Sequence, residues 1–310
     1  MSETKHVITL SDYNYLVYGL TLFESIDQYS DDYIIHYLCT DKKCFDTLSN
    51  LQLPNIACYN IADLENNTDF ISLRENNISN KKSVYSVTEE LHWSLASFFS
   101  YYLLEKYKLP HVLYIDSDIL FYNTIDKIFE AMGDKSIGVI THKHNKKDAE
   151  TGYFNVGIVY FKNDDAGNSC LKFWRDCCID PHNKYAEKYG TCGDQKYLEL
   201  FGKLFGDDNL EILCPKVGNL APWNLPMCTL TGNDKFIWHD KDGLVLEAGT
   251  SLEQDLLFMH FSHFSPDFKS KSFSFDRKGE WGPIHTLAGV QELYTNYFIK
   301  CISVKERYKL

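Results

Sequence analysis

Asp116 and Asp118 stand at i and i+2 directly after the run His111-Val112-Leu113-Tyr114-Ile115, and apolar residues resume at Ile119-Leu120-Phe121-Tyr122. On an extended backbone that spacing puts both carboxylates on the same side. Two anions at the end of a core strand repel each other and cannot be buried cheaply without a counter-charge. A hard cation is the natural partner, because oxygen ligands suit Mg²⁺, Mn²⁺ or Ca²⁺. The ordinary alternative is a pair of solvated residues at the start of a loop. His260 closes a later apolar run, Leu256 to Phe261, and would add a nitrogen ligand to the two carboxylates. Mn²⁺ accepts such a mixed set, although a lone histidine at a strand end also occurs for structural reasons alone.

Three further groups have types and positions suited to ligand binding. The first is Thr9-Leu10-Ser11-Asp12-Tyr13-Asn14-Tyr15, just past the first apolar run. Backbone amides, a small hydroxyl and a Tyr ring at the carboxyl end of a strand can hold a nucleobase, or simply cap a helix. The second is Asn155, the interior polar residue of Tyr153-Phe154-Asn155-Val156-Gly157-Ile158-Val159-Tyr160-Phe161. A buried amide needs partners, which are either a polyhydroxy ligand or a neighbouring loop. The third is Asp194-Gln195 in the turn Gly190 to Gln195, where a carboxylate and an amide either face a reacting centre or cap a helix.

The elements that must carry these residues follow from hydrophobic periodicity. Val7 to Leu10, Tyr33 to Cys39 and Asn55 to Tyr59 predict strands, with helices over Tyr15 to Gln28 and Asp41 to Leu51 between them. That alternation predicts a parallel sheet with crossover helices, an α/β fold. Residues 63–86 are polar and read as a surface excursion. A long helix is expected over Thr88 to Tyr107, a strand over Ser136 to Ile140, a helix over Asp165 to Ile179, a last strand over Leu256 to Phe261 and a helix over His285 to Val304. The sequence predicts one domain over residues 1–284, with 285–310 as a helical tail on it or extending from it.

Composition narrows the function classes. A formal charge of −12 argues against a duplex nucleic-acid binder, which needs a basic footprint. The ten cysteines are scattered without a Cys-x-x-Cys pair, so a zinc site is not indicated, and thiols used as core residues suit a reducing compartment. With no signal-peptide pattern and no apolar run long enough for a bilayer, a cytoplasmic location is expected.

In their order along the chain these motifs resemble the GT-A glycosyltransferases, within them the family-eight-like group that includes glycogenin and bacterial lipopolysaccharide galactosyl- and glucosyltransferases. The resemblance spans roughly residues 6–264 and rests on Val7-Ile8-Thr9-Leu10 with Gly19-Leu20, Tyr114 to Leu120, Phe154-Asn155-Val156-Gly157, Gly193-Asp194-Gln195, Pro222-Trp223-Asn224 and His260-Phe261. It implies a GT-A mixed, mainly parallel sheet flanked by helices, with a C-terminal helical tail. It further implies Mn²⁺ or Mg²⁺ on Asp116, Asp118 and His260, bridging the diphosphate of a nucleotide sugar, with UDP the expected base carrier. Thr9, Leu10, Ser11 and Tyr15 would hold base and ribose, Ser117 would lie on the donor beside Asp116, and Asn155, Asp194 and Gln195 would surround the donor sugar. Asp194 and Gln195 are the catalytic candidates in a transfer to a glycan or other hydroxyl acceptor with retention, by front-face attack.

Two departures stand out. Many relatives carry an Arg in the helix before the aspartate strand, and Trp93-Ser94-Leu95-Ala96-Ser97-Phe98-Phe99-Ser100-Tyr101-Tyr102 has none. The family's Gly-x-x-Lys-Pro-Trp after the histidine is replaced by His263-Phe264-Ser265-Pro266-Asp267-Phe268-Lys269, so Lys269 or Lys271 is the candidate phosphate cation, with His142, Lys143 and His144 a second source. Lys300, Lys305, Arg307 and Lys309 beside Tyr297, Phe298 and Ile299 give the tail either a solvated end or an anionic-membrane contact near a lipid-linked acceptor. The alternatives are a sugar-phosphate nucleotidyltransferase, which would need a Gly-rich opening loop, and a degenerate nucleotide-sugar-binding module without catalysis.

Overall fold

The computed structural model describes residues 3–79, 87–142, 151–190, 192–214, 216–232, 234–238, 253–275 and 279–310. Lys143 and His144, two of the expected phosphate cations, lie outside the described residues. The chain opens with β1 (Lys5–Ser11), α1 (Leu16–Tyr29), β2 (Tyr33–Cys39), α2 (Lys42–Leu51) and β3 (Ile56–Asn60). It continues through α3 (Thr68–Ser79), α4 (Val87–Tyr107), β4 (His111–Ile115), β5 (Ile119–Phe121), α5 (Asp126–Met132), β6 (Ile137–Thr141) and β7 (Phe154–Lys162). Then come α6 (Asp165–Ile179), α7 (Lys184–Tyr189), α8 (Phe201–Phe205), β8 (Leu210–Ile212), β9 (Asn219–Leu220), β10 (Cys228–Leu230), β11 (Lys235–Trp238) and β12 (Glu253–Asp255). The last elements are β13 (Phe258–His260), β14 (Ser265–Asp267), β15 (Ser272–Ser274) and α9 (Val290–Tyr308).

Seven strands form the central sheet in the order β3-β2-β1-β4-β7-β6-β8. β3, β2, β1 and β4 run parallel, β7 is antiparallel to both β4 and β6, and β8 returns parallel to β6. The sheet is therefore mixed and mainly parallel, as expected. Alternate residues feed two cores. Val7, Leu113, Ile115 and Ile158 point to the face covered by α1, α2 and α9, and Ile8, Val112, Tyr114 and Val159 to the face covered by α3, α4 and α6. Burial on both faces is why these strands read as continuous apolar runs.

Two expectations need correction, and one strand goes where no expectation placed it. The polar stretch 63–86 is not only a surface excursion. Its described part contains α3, whose Phe70 and Leu73 are buried against α4 and α6. The apolar residues after the aspartates form β5, which leaves the central sheet and pairs with β13 in a small three-stranded sheet with β9. The strand ending at His260 is not the last, since the β14–β15 hairpin follows it.

The tail is tied to the body by aromatic stacking. Tyr297 lies on Phe261 with ring centroids 3.8 Å apart at 6°, and Tyr294 on Phe275 at 3.9 Å and 13°. Tyr297 and Phe298 are buried, so of the aromatic and aliphatic trio considered for membrane contact Ile299 alone is exposed. Among the described residues no helix is long and apolar enough to cross a membrane.

Candidate active site

The site forms where β4 ends. The Asp116 amide donates to the Gly157 carbonyl at 2.9 Å, and the Ile119 amide turns back to the Asp116 carbonyl at 3.3 Å. This tight turn holds Asp116 and Asp118 on one side. The β5–β13 ladder then sets His260 opposite Ile119, and the Phe261 amide donates to the Asp118 carbonyl at 2.9 Å. His260 Nε2 consequently sits 3.1 Å from Asp118 Oδ1 and 3.7 Å from Asp116 Oδ2. The ligand atoms of the three residues all lie within 4.8 Å of one another, a grouping able to hold a metal ion.

Electrostatics marks the same trio. Burial raises the Asp116 carboxyl and the Asp118 charge adds to the rise. Burial would raise Asp118 as well, but His260 beside it holds it below the usual range. Burial opposes the charging of His260, yet Asp118 and Asp116 together lift it above 6.5. Asp194, buried and close enough to feel Asp116, is pushed well above the usual carboxylate value, by burial first and by that charge second. The buried atoms Asp194 Oδ2 and His260 Nδ1 have no hydrogen-bond partner. Polar atoms desolvated without a partner are costly and mark a place a ligand would satisfy.

Asn155 and Gln195 meet directly. Asn155 Nδ2 donates to Gln195 Oε1 at 3.1 Å, and Gln195 Nε2 donates to the Thr151 carbonyl at 2.7 Å. Trp174 Nε1 pins the Asp194 carbonyl at 2.9 Å. Two glycines permit this density. A Cβ on Gly157 would fall 2.6 Å from Asn155 Oδ1 and 2.8 Å from His260 Nδ1. Gly193 has φ +54° and a Cβ there would meet Trp93 Cε3 at 2.6 Å.

The first strand is tightly packed where it ends. Thr9, Leu10 and Ser11 are buried, and Ser11 Oγ is engaged by Tyr37 OH at 2.6 Å. Tyr15 is half exposed, its ring edge-on to Tyr18 at 5.1 Å, and it feels the Asp118 charge after its own burial. Ser117 is buried within the turn. Lys269 is exposed at the tip of the β14–β15 hairpin with its amide on Asp267 Oδ1 at 2.9 Å. Among the described residues no hydrogen bond or ion pair connects Lys269 with the trio.

Two residues here take places other than the sequence reading gave them, and His92 stands on α4 as a third polar group. His142, expected as a second source of a phosphate cation, is buried beside Asn155 at 3.3 Å. His92, on α4, bonds Thr40 Oγ1 at 2.8 Å. Trp174 reads simply as the apolar stripe of α6. Their signal was a polar or indole group on an otherwise apolar face.

Comparison with known proteins gives the family and the fold. Residues 6–195 match the model of glycosyl transferase family 8. The chain belongs to glycosyl transferase family 8. It is a glycosyltransferase with the GT-A fold. The uncharacterized protein YfnF of Bacillus subtilis (strain 168) is 31% identical over 261 residues, covering 80% of this chain and 78% of its own. The uncharacterized YfnD of the same organism is 22% identical over 269 residues, covering 85% and 79%. An active-site mutant of LgtC shares the fold at a TM-score of 0.55 and 16% identity, over 98% of this chain and all of that one. The family 8 match ends at Gln195, so His260 is placed by geometry and not by the match.

Proposed function

We propose that this family 8 enzyme transfers a sugar from a UDP-linked donor to a glycan or other hydroxyl acceptor, lipid-linked glycans included, with retention and with Mn²⁺ or Mg²⁺ held by Asp116, Asp118 and His260. The observation that carries the reading is the convergence of two carboxylates and one imidazole within 4.8 Å at the carboxyl end of β4. The donor set of two oxygens and one nitrogen fits Mn²⁺. A bound cation supplies stabilisation of the charge that builds on the leaving diphosphate.

The chain's own residues account for the rest. Tyr15 offers a half-exposed ring for the base, with Thr9, Leu10 and Ser11 buried at the end of β1. Ser117 lies beside Asp116 on the diphosphate side. Asp194 Oδ2, buried and unpartnered, is the atom left to hold a hydroxyl of the donor sugar. Asn155 and Gln195 form the floor beneath it. The departing diphosphate oxygen takes the acceptor's proton, so attack and departure share one face and configuration is kept. Lys269 remains a phosphate contact only if the β14–β15 hairpin brings it over the donor. Ten free thiols, eight of them buried, support a reducing, cytoplasmic setting.

Thermal-shift screening of UDP-, GDP- and CMP-sugars with and without Mn²⁺ tests the reading. The expected result is stabilisation by UDP-sugars that requires the metal. Stabilisation that ignores Mn²⁺, or binding of donors that are never hydrolysed or transferred, contradicts it.

A further inference from the structure

The polar atoms around Asn155 admit one arrangement of hydrogens. The Gly157 amide donates to Asn155 Oδ1 at 2.9 Å, which fixes that oxygen as the acceptor end. The Asn155 amide nitrogen therefore faces both Gln195 Oε1, at 3.1 Å, and His142 Nε2, at 3.3 Å, and donates to each. His142 Nδ1 lies 3.1 Å from the Gly152 carbonyl, which can only accept. Nδ1 must carry the proton, so Nε2 is left with its lone pair toward Asn155. Reversing any one member creates repulsion. A flipped Asn155 sets its NH₂ against the Gly157 N–H. A flipped Gln195 sets its NH₂ against that of Asn155 and its oxygen against the Thr151 carbonyl. The other tautomer of His142 opposes two donors at one nitrogen and two acceptors at the other.

A second set of contacts fixes the histidine. Asn224 Nδ2 donates to the His142 carbonyl at 3.3 Å, while Asn224 Oδ1 accepts from the Ala221 amide at 2.9 Å. The Trp223 ring stands edge-on to the His142 ring at 5.2 Å and 70°, and to His260 at 5.2 Å and 82°. The turn Ala221-Pro222-Trp223-Asn224 thus clamps His142 from behind and touches the metal-ligand histidine with the same indole.

From this geometry we infer that His142 is a positioning residue of the transfer reaction. It holds the Asn155 amide, and through it the Gln195 amide, in the single orientation that presents them beneath the donor sugar. All four amide ends of Asn155 and Gln195 are engaged by protein atoms, with Asn155 Nδ2 donating twice. The pair acts as a rigid floor, and Asp194 Oδ2 is the group left for the ligand. The kinetic consequence rests on the donor-site reading above, whereas the tautomer does not.

Two measurements test it. Long-range ¹H–¹⁵N correlation on the full-length protein, with the signal assigned by its loss in His142→Gln, should show Nδ1 protonated and Nε2 bare. A protonated Nε2 overturns the inference whether or not any donor is turned over. Turnover of UDP-glucose, UDP-galactose and their N-acetyl forms with Mn²⁺ supplies the second. His142→Ala should lower kcat about a hundred-fold, the scale of a misplaced reacting group, with donor KM and the Kd of UDP unchanged. His142→Gln, whose amide oxygen can accept from Asn155, should recover most of the loss. Unchanged kcat in His142→Ala, or a loss that appears in UDP affinity instead, overturns the assignment. Failure of the wild type to turn over any of these donors would count against the donor reading, and the tautomer would still decide the role of His142.

Discussion

His260 Nε2 lies 3.1 Å from Asp118 Oδ1, and the register of β13 on β5 creates that contact by setting His260 opposite Ile119. The two residues are far apart in sequence, and a one-residue slip of this short ladder would turn the imidazole to the other face. The candidate metal-ligand trio thus joins two sheets: the central one carries the aspartates at the end of β4, and the satellite one brings His260 to them.

His260→Ala should therefore weaken Mn²⁺ binding without unfolding the chain. Losing a ligand costs at least as much as losing an outer-shell partner, about 10- to 100-fold in affinity. Titration of Mn²⁺ in the presence of UDP, read by calorimetry, checks this. Affinity equal to wild type would remove His260 from the set.

Gly193→Ala combines two penalties. The backbone is at φ +54°, and the new Cβ would fall 2.6 Å from Trp93 Cε3. Strain of this kind costs about 1–3 kcal/mol. Urea unfolding should show a loss of that size, and donor turnover should fall with it because Asp194 follows directly. A fully stable, fully active variant would contradict the packing described.

A histidine cluster at the opposite end of the sheet predicts acid sensitivity. His6 Nδ1 lies 3.0 Å from His36 Nε2, Tyr59 OH 3.0 Å from His36 Nδ1, and the His6 amide donates to His111 Nε2 at 3.2 Å. Burial, aided by His6, brings His36 and His111 down to about 4, Lys5 adds to the fall at His111, and Glu3 acts in the opposite sense on His6. The unfolded chain takes up these protons near pH 6.5 and the folded chain only near 4, so the unfolded state binds more protons between those values. Stability should hold above pH 7, fall as pH drops from 6.5 to 4, and lose at most about 3 kcal/mol per histidine. Urea midpoints at pH 7.5, 5.5 and 4.5 measure it, and His36→Gln should flatten the profile. A midpoint that rises on acidification has the wrong sign.

The stack of Tyr297 on Phe261 makes α9 part of the core that carries His260. Tyr297→Ala should cost about 3–5 kcal/mol, as for other buried aromatic rings, and deletion of residues 285–310 should leave no cooperative thermal transition. A truncated chain that melts at the wild-type temperature would make the tail a separate appendage.

How much of this was legible in sequence depends on the range of the interaction. Asp116 and Asp118 could be paired by strand geometry alone, and the parallel half of the sheet by its alternation with helices. Lys269 was proposed from chain order, and the β14–β15 hairpin holds it exposed at its tip. The helix α3 was hidden because Phe70 and Leu73 are its few apolar anchors in a polar stretch. His142 looked like one of a basic series, since its burial depends on Asn224 and Trp223, which reach it from another part of the chain. Asn155 was seen as ligand-facing or loop-tying, and its amide contacts lie with His142 and Gln195.

The central claim is a metal-dependent donor site on Asp116, Asp118 and His260, and Asp118→Asn tests it most directly. The change removes one charge and leaves the backbone bond from the Phe261 amide in place. UDP binding measured by calorimetry with and without Mn²⁺ should show wild-type affinity that depends on the metal and a variant that has lost the dependence, with its circular dichroism unchanged. Mn²⁺-dependent UDP binding equal to wild type in Asp118→Asn would contradict the account.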